Sequence, residues 1–162
     1  MWSAIAVRVV VAVVVVLSAT PALAQLPNPY GAPLSLENAK KIAAAAVAEA
    51  RKNNWNVAIA IVDPAGALVY FEKLDGTQNA SVTVAIEKAR TSAQFKRATK
   101  AFQDVVAAGG DGLRILSLPG AVPVEGGVPA LIDGRIVGAV GVSGATSAQD
   151  GQVAAAGVAA VK

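Results

Sequence analysis

GGVPALIDGRIVGAVGVSG, residues 126 to 144, holds two β-branched runs, Val128 to Ile132 and Arg135 to Val142, on either side of Asp133-Gly134. That dipeptide tolerates the positive φ angles of a two-residue turn, so the stretch predicts a β-hairpin. The second run ends at Ser143-Gly144 and passes through Thr146 and Ser147 into an alanine-rich segment. A strand is thus expected to lead directly into a helix N-terminus, where backbone N–H groups lack intrahelical acceptors.

A second hairpin is expected upstream. Val57 to Val62 and Ala67 to Lys73 flank Asp63-Pro64-Ala65-Gly66, with Asp, Pro and Gly at the positions a type I turn favours. Before it, Ser35 is a plausible N-cap and Glu37 suits the positive end of the helix dipole. Leu36, Ala39, Ile42, Ala43, Ala46, Val47 and Ala50 then repeat at helical spacing until Asn53-Asn54. Lys40, Lys41, Arg51 and Lys52 of this helix are expected to face water.

Ala80 to Arg97 predicts another helix with a wet stripe of Glu87, Arg90, Gln94 and Arg97 and a core stripe of Val82, Ala85, Ile86, Ala89 and Ala93. A third stripe, Val84, Lys88, Thr91 and Phe95, sets an ammonium among apolar neighbours. Lys88 could snorkel at an edge, lie in a subunit interface or receive an anion. Ala98 to Ala108 predicts a short helix broken by Gly109-Gly110-Asp111-Gly112. The last helix is expected from Ser147 to Val161, with Ser147 as N-cap and Asp150 as its third-position partner, which makes helix capping the default role of Asp150.

Residues 1 to 24 read as a secretory signal peptide. Arg8 is the only charge, Val9 to Leu17 is unbroken by polar residues, and Ala22-Leu23-Ala24 resembles a cleavage site before Gln25. The apolar run from Ile5 to Leu17 is shorter than the roughly 20 residues of a spanning helix, so no stable membrane insertion is expected after cleavage. Export to the periplasm or beyond follows. Residues 25 to 34, with three prolines, form an extended lead-in, and residues 35 to 162 form one domain.

Composition narrows the chemistry. Without Arg8, 13 of the 14 Lys and Arg remain against 11 Asp and Glu, too balanced for nucleic-acid binding driven by counterion release. The chain has no histidine or cysteine and its one methionine is Met1, so a histidine base, a thiolate nucleophile, a zinc site of usual composition and haem ligation by His, Cys or Met are excluded. Ser143 in GVSGA superficially matches a nucleophile elbow, but residue 145 is alanine and no histidine exists to complete a triad.

From Leu34 to Val161 the chain resembles the GlcG/HbpS-like family of haem-binding and haem-degrading-like domains, also found as the C-terminal part of PduO proteins. The resemblance rests on Ser35-Leu36-Glu37-Asn38-Ala39, Val57 to Asp63 with Gly66, Leu74-Asp75-Gly76 and Glu87-Lys88-Ala89-Arg90-Thr91. Gly126-Gly127-Val128-Pro129, Gly138 to Gly144 and Gln149-Asp150 complete it. It implies an α+β, profilin-like antiparallel five-stranded sheet packed with helices, and a homo-oligomer. The family often carries a histidine just after the first hairpin's glycine, where this chain has Ala67. Tyr70 is then the residue that could meet haem iron as a phenolate, its alternative role being a strand residue that packs its ring.

The resulting expectation is an exported binding protein for a small anion or haem, with Lys88, Thr91, Gly126, Gly127, Ser143 and Gly144 forming the ligand site. Two other readings stay open. One is a metal-independent enzyme acting on a small carbonyl or cofactor, with Lys88 and Asp150 as its catalytic pair. The other is an oligomeric assembly or signalling module.

Overall fold

The structure, a computed structural model, describes residues 28–161; the proposed signal peptide lies outside the described residues. Asp133 and Gly134 both adopt positive φ, 51° and 70°, which matches the right-handed twist of the strands they join. Strands β3 (Gly127–Ile132) and β4 (Arg135–Ser143) form the expected hairpin. Strands β1 (Ala58–Val62) and β2 (Leu68–Lys73) form the other. At its turn the Asp63 carboxylate accepts from the amides of Ala65 and Ala67, each at 2.9 Å. β1 pairs with β4, giving one antiparallel sheet of order β2-β1-β4-β3.

The sheet therefore has four strands among the described residues, one fewer than the five expected. The described part of the lead-in, residues 28–34, supplies a single parallel bridge, Tyr30 to Ile136, continued by the Leu34 amide donating to the Val137 carbonyl at 2.9 Å. Pro29 and Pro33 have no N–H to extend that ladder. The lead-in is still tied down, because the Tyr30 hydroxyl reaches the carbonyls of Ala93 and Gln94 at 3.0 Å.

Helices cover both faces. On one side α1 (Leu36–Lys52) and α4 (Ser147–Val158) bury Ile42, Val47, Val153 and Ala154 against Ile59, Ile61, Val140 and Val142. On the other, α2 (Ala80–Gln94) lays Ala85, Ala89 and Ala93 on Ala58, Ala60 and Ala139. This face is built from small residues, and at Gly141 even a methyl group would run into the Ala85 carbonyl. The helix backbone rests almost on the strand.

Sequence and structure agree closely on α1. Ser35 accepts from the Asn38 amide at 3.2 Å, and Asn54 takes the left-handed conformation, φ 56°, that ends the helix. Three features differ. α2 stops at Gln94 because Lys96 turns to φ 57°, and its deepest residues include Ser81, Lys88, Thr91 and Ser92 where the expected core residues Val82 and Ile86 are only half-buried. α3 (Thr99–Ala107) ends at Gly109-Gly110 as expected, but the glycine run then opens a 3-10 helix, Gly110–Ser117. α4 is capped by Thr146, one residue before the expected Ser147, with Gln149 closing the reciprocal box. Asp150 is thereby released from the capping role.

Candidate functional site

Lys88 leaves α2 on one face of the sheet, and Asp150 leaves α4 on the other. They meet past the C-terminal end of β4, where the Lys88 ammonium donates to Asp150 Oδ2 at 2.9 Å and to the Val142 carbonyl at 3.0 Å. Both residues are almost wholly buried, 1% and 2% exposed. The room comes from Gly126, φ 131°, where an added Cβ would lie 2.8 Å from the Lys88 ammonium and 2.9 Å from Asp150 Cβ. Any other residue there would displace the pair.

Two of the amides that the sequence marked as anion donors, those of Gly127 and Gly144, are engaged. Gly127 N–H donates to Thr99 Oγ1 at 2.8 Å, and Ala145 N–H donates to Asp150 Oδ1 at 3.0 Å, joined by the Gly144 amide. The anion held by this cluster is the chain's own carboxylate. Burial pushes the Asp150 carboxyl above its ordinary value, and Lys88 and the two amides pull it partly back. Lys88, Gly126, Gly127, Gly144 and Asp150 thus converge. Thr91 and Ser143 do other work: Thr91 donates to the Gly120 carbonyl at 2.9 Å and accepts from the Val122 amide at 3.0 Å, and Ser143 donates to Ser81 Oγ at 3.3 Å. Thr91 therefore pins the long loop that leads to β3.

Tyr70 lies elsewhere, on the edge strand β2 beside α1. It lines a cleft of about 390 Å³ together with Lys40, Ala44, Val47, Ala48, Arg51 and Glu72. Its hydroxyl donates to Glu72 Oε2 at 3.3 Å, and burial, then the charge of Glu72, holds the phenol above its ordinary pKa. The cleft joins a phenol oxygen, an apolar wall and two cations in one concave surface. Lys40 and Arg51 escaped the sequence reading as site residues, although Lys40, Ala44, Val47, Ala48 and Arg51 share one stripe of α1 at helical spacing. Ala67 is exposed in the neighbouring turn and offers no ligand atom. Among the described residues no three His, Cys, Asp or Glu side chains are grouped to hold a bare metal ion.

A family model described as haem degrading protein HbpS-like matches residues 34–159. Protein GlcG of Escherichia coli strain K12 is 43% identical over 110 residues, 68% of this chain and 81% of that protein. Among solved structures, HbpS is similar with a TM-score of 0.74 and 32% identity, covering 82% of this chain and 92% of its own. The PduOC:heme complex is similar with a TM-score of 0.72 and 29% identity, covering 80% and 96%.

Proposed function

The chain belongs to the HbpS-like family, and from that premise we propose that it is an exported ligand-binding protein that takes haem, or a related planar anion, in the cleft between α1 and β2. The single observation behind this reading is the company Tyr70 keeps. Ala44, Val47 and Ala48 give a flat ring an apolar wall, Lys40 and Arg51 offer countercharge to its carboxylates, and Tyr70 presents an oxygen. Tyr70 would be the residue that meets the iron of bound haem, with Lys40 and Arg51 holding its carboxylates. Glu72 accepts the Tyr70 hydroxyl at 3.3 Å in the free cleft, a bond the oxygen would give up on meeting iron.

Support for haem also comes from kinship with a protein solved as a heme complex. Support for export comes from the signal-like pattern of residues 1 to 24. Exposed Leu113 and Leu116 on the 3-10 helix, 50% and 62% exposed, support self-association, which light scattering reads directly.

Titration with haemin should give a saturable Soret change. Tyr70→Phe should alter that spectrum and lower haemin affinity at least tenfold while leaving iron-free protoporphyrin binding unchanged. The double variant Lys40→Glu, Arg51→Glu should weaken both ligands. A haemin titration without saturation, or one indifferent to Tyr70→Phe, would overturn iron ligation in this cleft.

A further inference from the structure

A second cleft, of about 250 Å³, lies where α1 ends, lined by Arg51, Asn54, Trp55, Asn56, Leu74 and Asp75. Its walls are held by backbone hydrogen bonds. On one side Asn54 N–H donates to the Arg51 carbonyl at 3.1 Å and Trp55 N–H to the Ala50 carbonyl at 2.9 Å, the two bonds that close a helix with a left-handed residue. On the other, the Leu74 amide donates to the Val57 carbonyl at 3.0 Å, and the Leu74 carbonyl accepts from Thr77 Oγ1 at 2.7 Å. Gly76, φ 77°, leaves room for Asn56, whose Nδ2 would lie 2.9 Å from an added Cβ.

The lining carries an indole, a carboxylate, two amides and a guanidinium. Among the described residues, the side chains of Arg51, Asn54, Trp55, Asn56 and Asp75 make no hydrogen bond within the chain, whereas every buried polar side-chain atom has a partner. Their donors and acceptors are available to a ligand. An apolar ligand would strip water from the amides and the carboxylate without replacing it. A dianion such as phosphate would meet the Asp75 charge, and an amine would meet Arg51. A neutral molecule bearing several hydroxyls suits every member: Asp75 accepts from hydroxyls, Asn54 and Asn56 donate and accept, Arg51 donates, and Trp55 supplies apolar surface for the ligand's C–H groups.

We propose that the Trp55 cleft is a binding site for a neutral polyhydroxylated molecule of monosaccharide size. It is separate from the Tyr70 cleft, although Arg51 borders both. The test therefore leaves Arg51 unchanged. In the full chain carrying Trp2→Phe, Trp55 is the sole indole. Its emission is followed during titration with D-glucose, D-galactose and D-ribose, with benzoate and inorganic phosphate as comparators, and calorimetry runs in parallel to detect binding that the indole does not report.

The expected result is saturable binding of at least one sugar and none of either comparator. Asp75→Asn, a substitution at an exposed position, should weaken that sugar at least tenfold with an unchanged circular dichroism spectrum, and Tyr70→Phe should leave it unaffected. Failure of all three sugars to saturate in both measurements overturns the proposal. So does tighter binding of benzoate or phosphate, or a sugar affinity indifferent to Asp75→Asn.

Discussion

Asp150→Leu removes the counter-ion of a lysine with almost no access to water. In the folded protein the Lys88 ammonium would keep only the Val142 carbonyl at 3.0 Å, and breaking a buried pair in this way costs about 3–5 kcal/mol. The amides of Gly144 and Ala145 also lose their acceptor, at about 1–3 kcal/mol each where water does not replace it. Domains of this size are typically stable by about 5–15 kcal/mol, so this variant should stand close to unfolding.

Lys88→Met should be milder, because the stranded carboxylate keeps both amides and can take up a proton. The pH dependence distinguishes the two. Burial already raises the Asp150 pKa from 3.8, and without Lys88 it rises further, so the folded state holds this proton more tightly than the unfolded chain. Lys88→Met should therefore gain stability as pH falls through the folded-state pKa toward 3.8, and lose it as pH rises; Asp150→Leu has no such proton to bind. The double variant, with neither charge, should recover to within about 2 kcal/mol of the parent. Urea unfolding followed by circular dichroism, with m-values checked for constancy, measures all four proteins. Additive single costs, or a loss below about 1 kcal/mol for Asp150→Leu, would refute the account of the pair as mutually dependent.

Thr146→Ala should cost about 1 kcal/mol and Ser147→Ala nearly nothing, a comparison by thermal melting that reports which residue caps α4. Gly141→Ala should destabilise by about 3 kcal/mol or more, because the methyl meets helix backbone that cannot rotate away, and a melt near the parent's would show that α2 can retreat. Gly134→Ala, whose Cβ would meet nothing within 4 Å, should lose only the left-handed penalty of about 1–2 kcal/mol in the same assay. Thr99→Val should orphan the Gly127 amide and cost about 1–3 kcal/mol in urea, with an unchanged unfolding midpoint counting against the bond.

Both hairpins and α1 are legible because their signals are local: Asp133-Gly134, Asp63 to Gly66 and Ser35 specify backbone angles within a few residues. The cap of α4 slips by one because Thr146 and Ser147 are both competent, and only Gln149 reaching back to the Thr146 amide decides between them. Lys88 stands out in sequence as a charge on an apolar stripe. Asp150 enters the sequence reading as its partner only in the enzyme alternative, its default role being helix capping, because the two lie 62 residues apart and on opposite sides of the sheet.

The Tyr70 cleft is hidden for a different reason. Helical periodicity assigns Lys40 and Arg51 to water, and both residues are indeed exposed. What makes a solvent-facing stripe into one wall of a cleft is the placement of β2 at the margin of the sheet, in the order β2-β1-β4-β3. An interior strand such as β1, buried along its whole length, would have enclosed Tyr70. On the edge, the phenol stays half-buried, packed from below by the core and open above. Strand order is a long-range outcome: it depends on β1 pairing with β4 some eighty positions further along the chain, as Ala58 pairs with Ser143. No pattern within α1 or β2 encodes it, which is why the residues of the cleft are each visible in the sequence while the cleft itself is not.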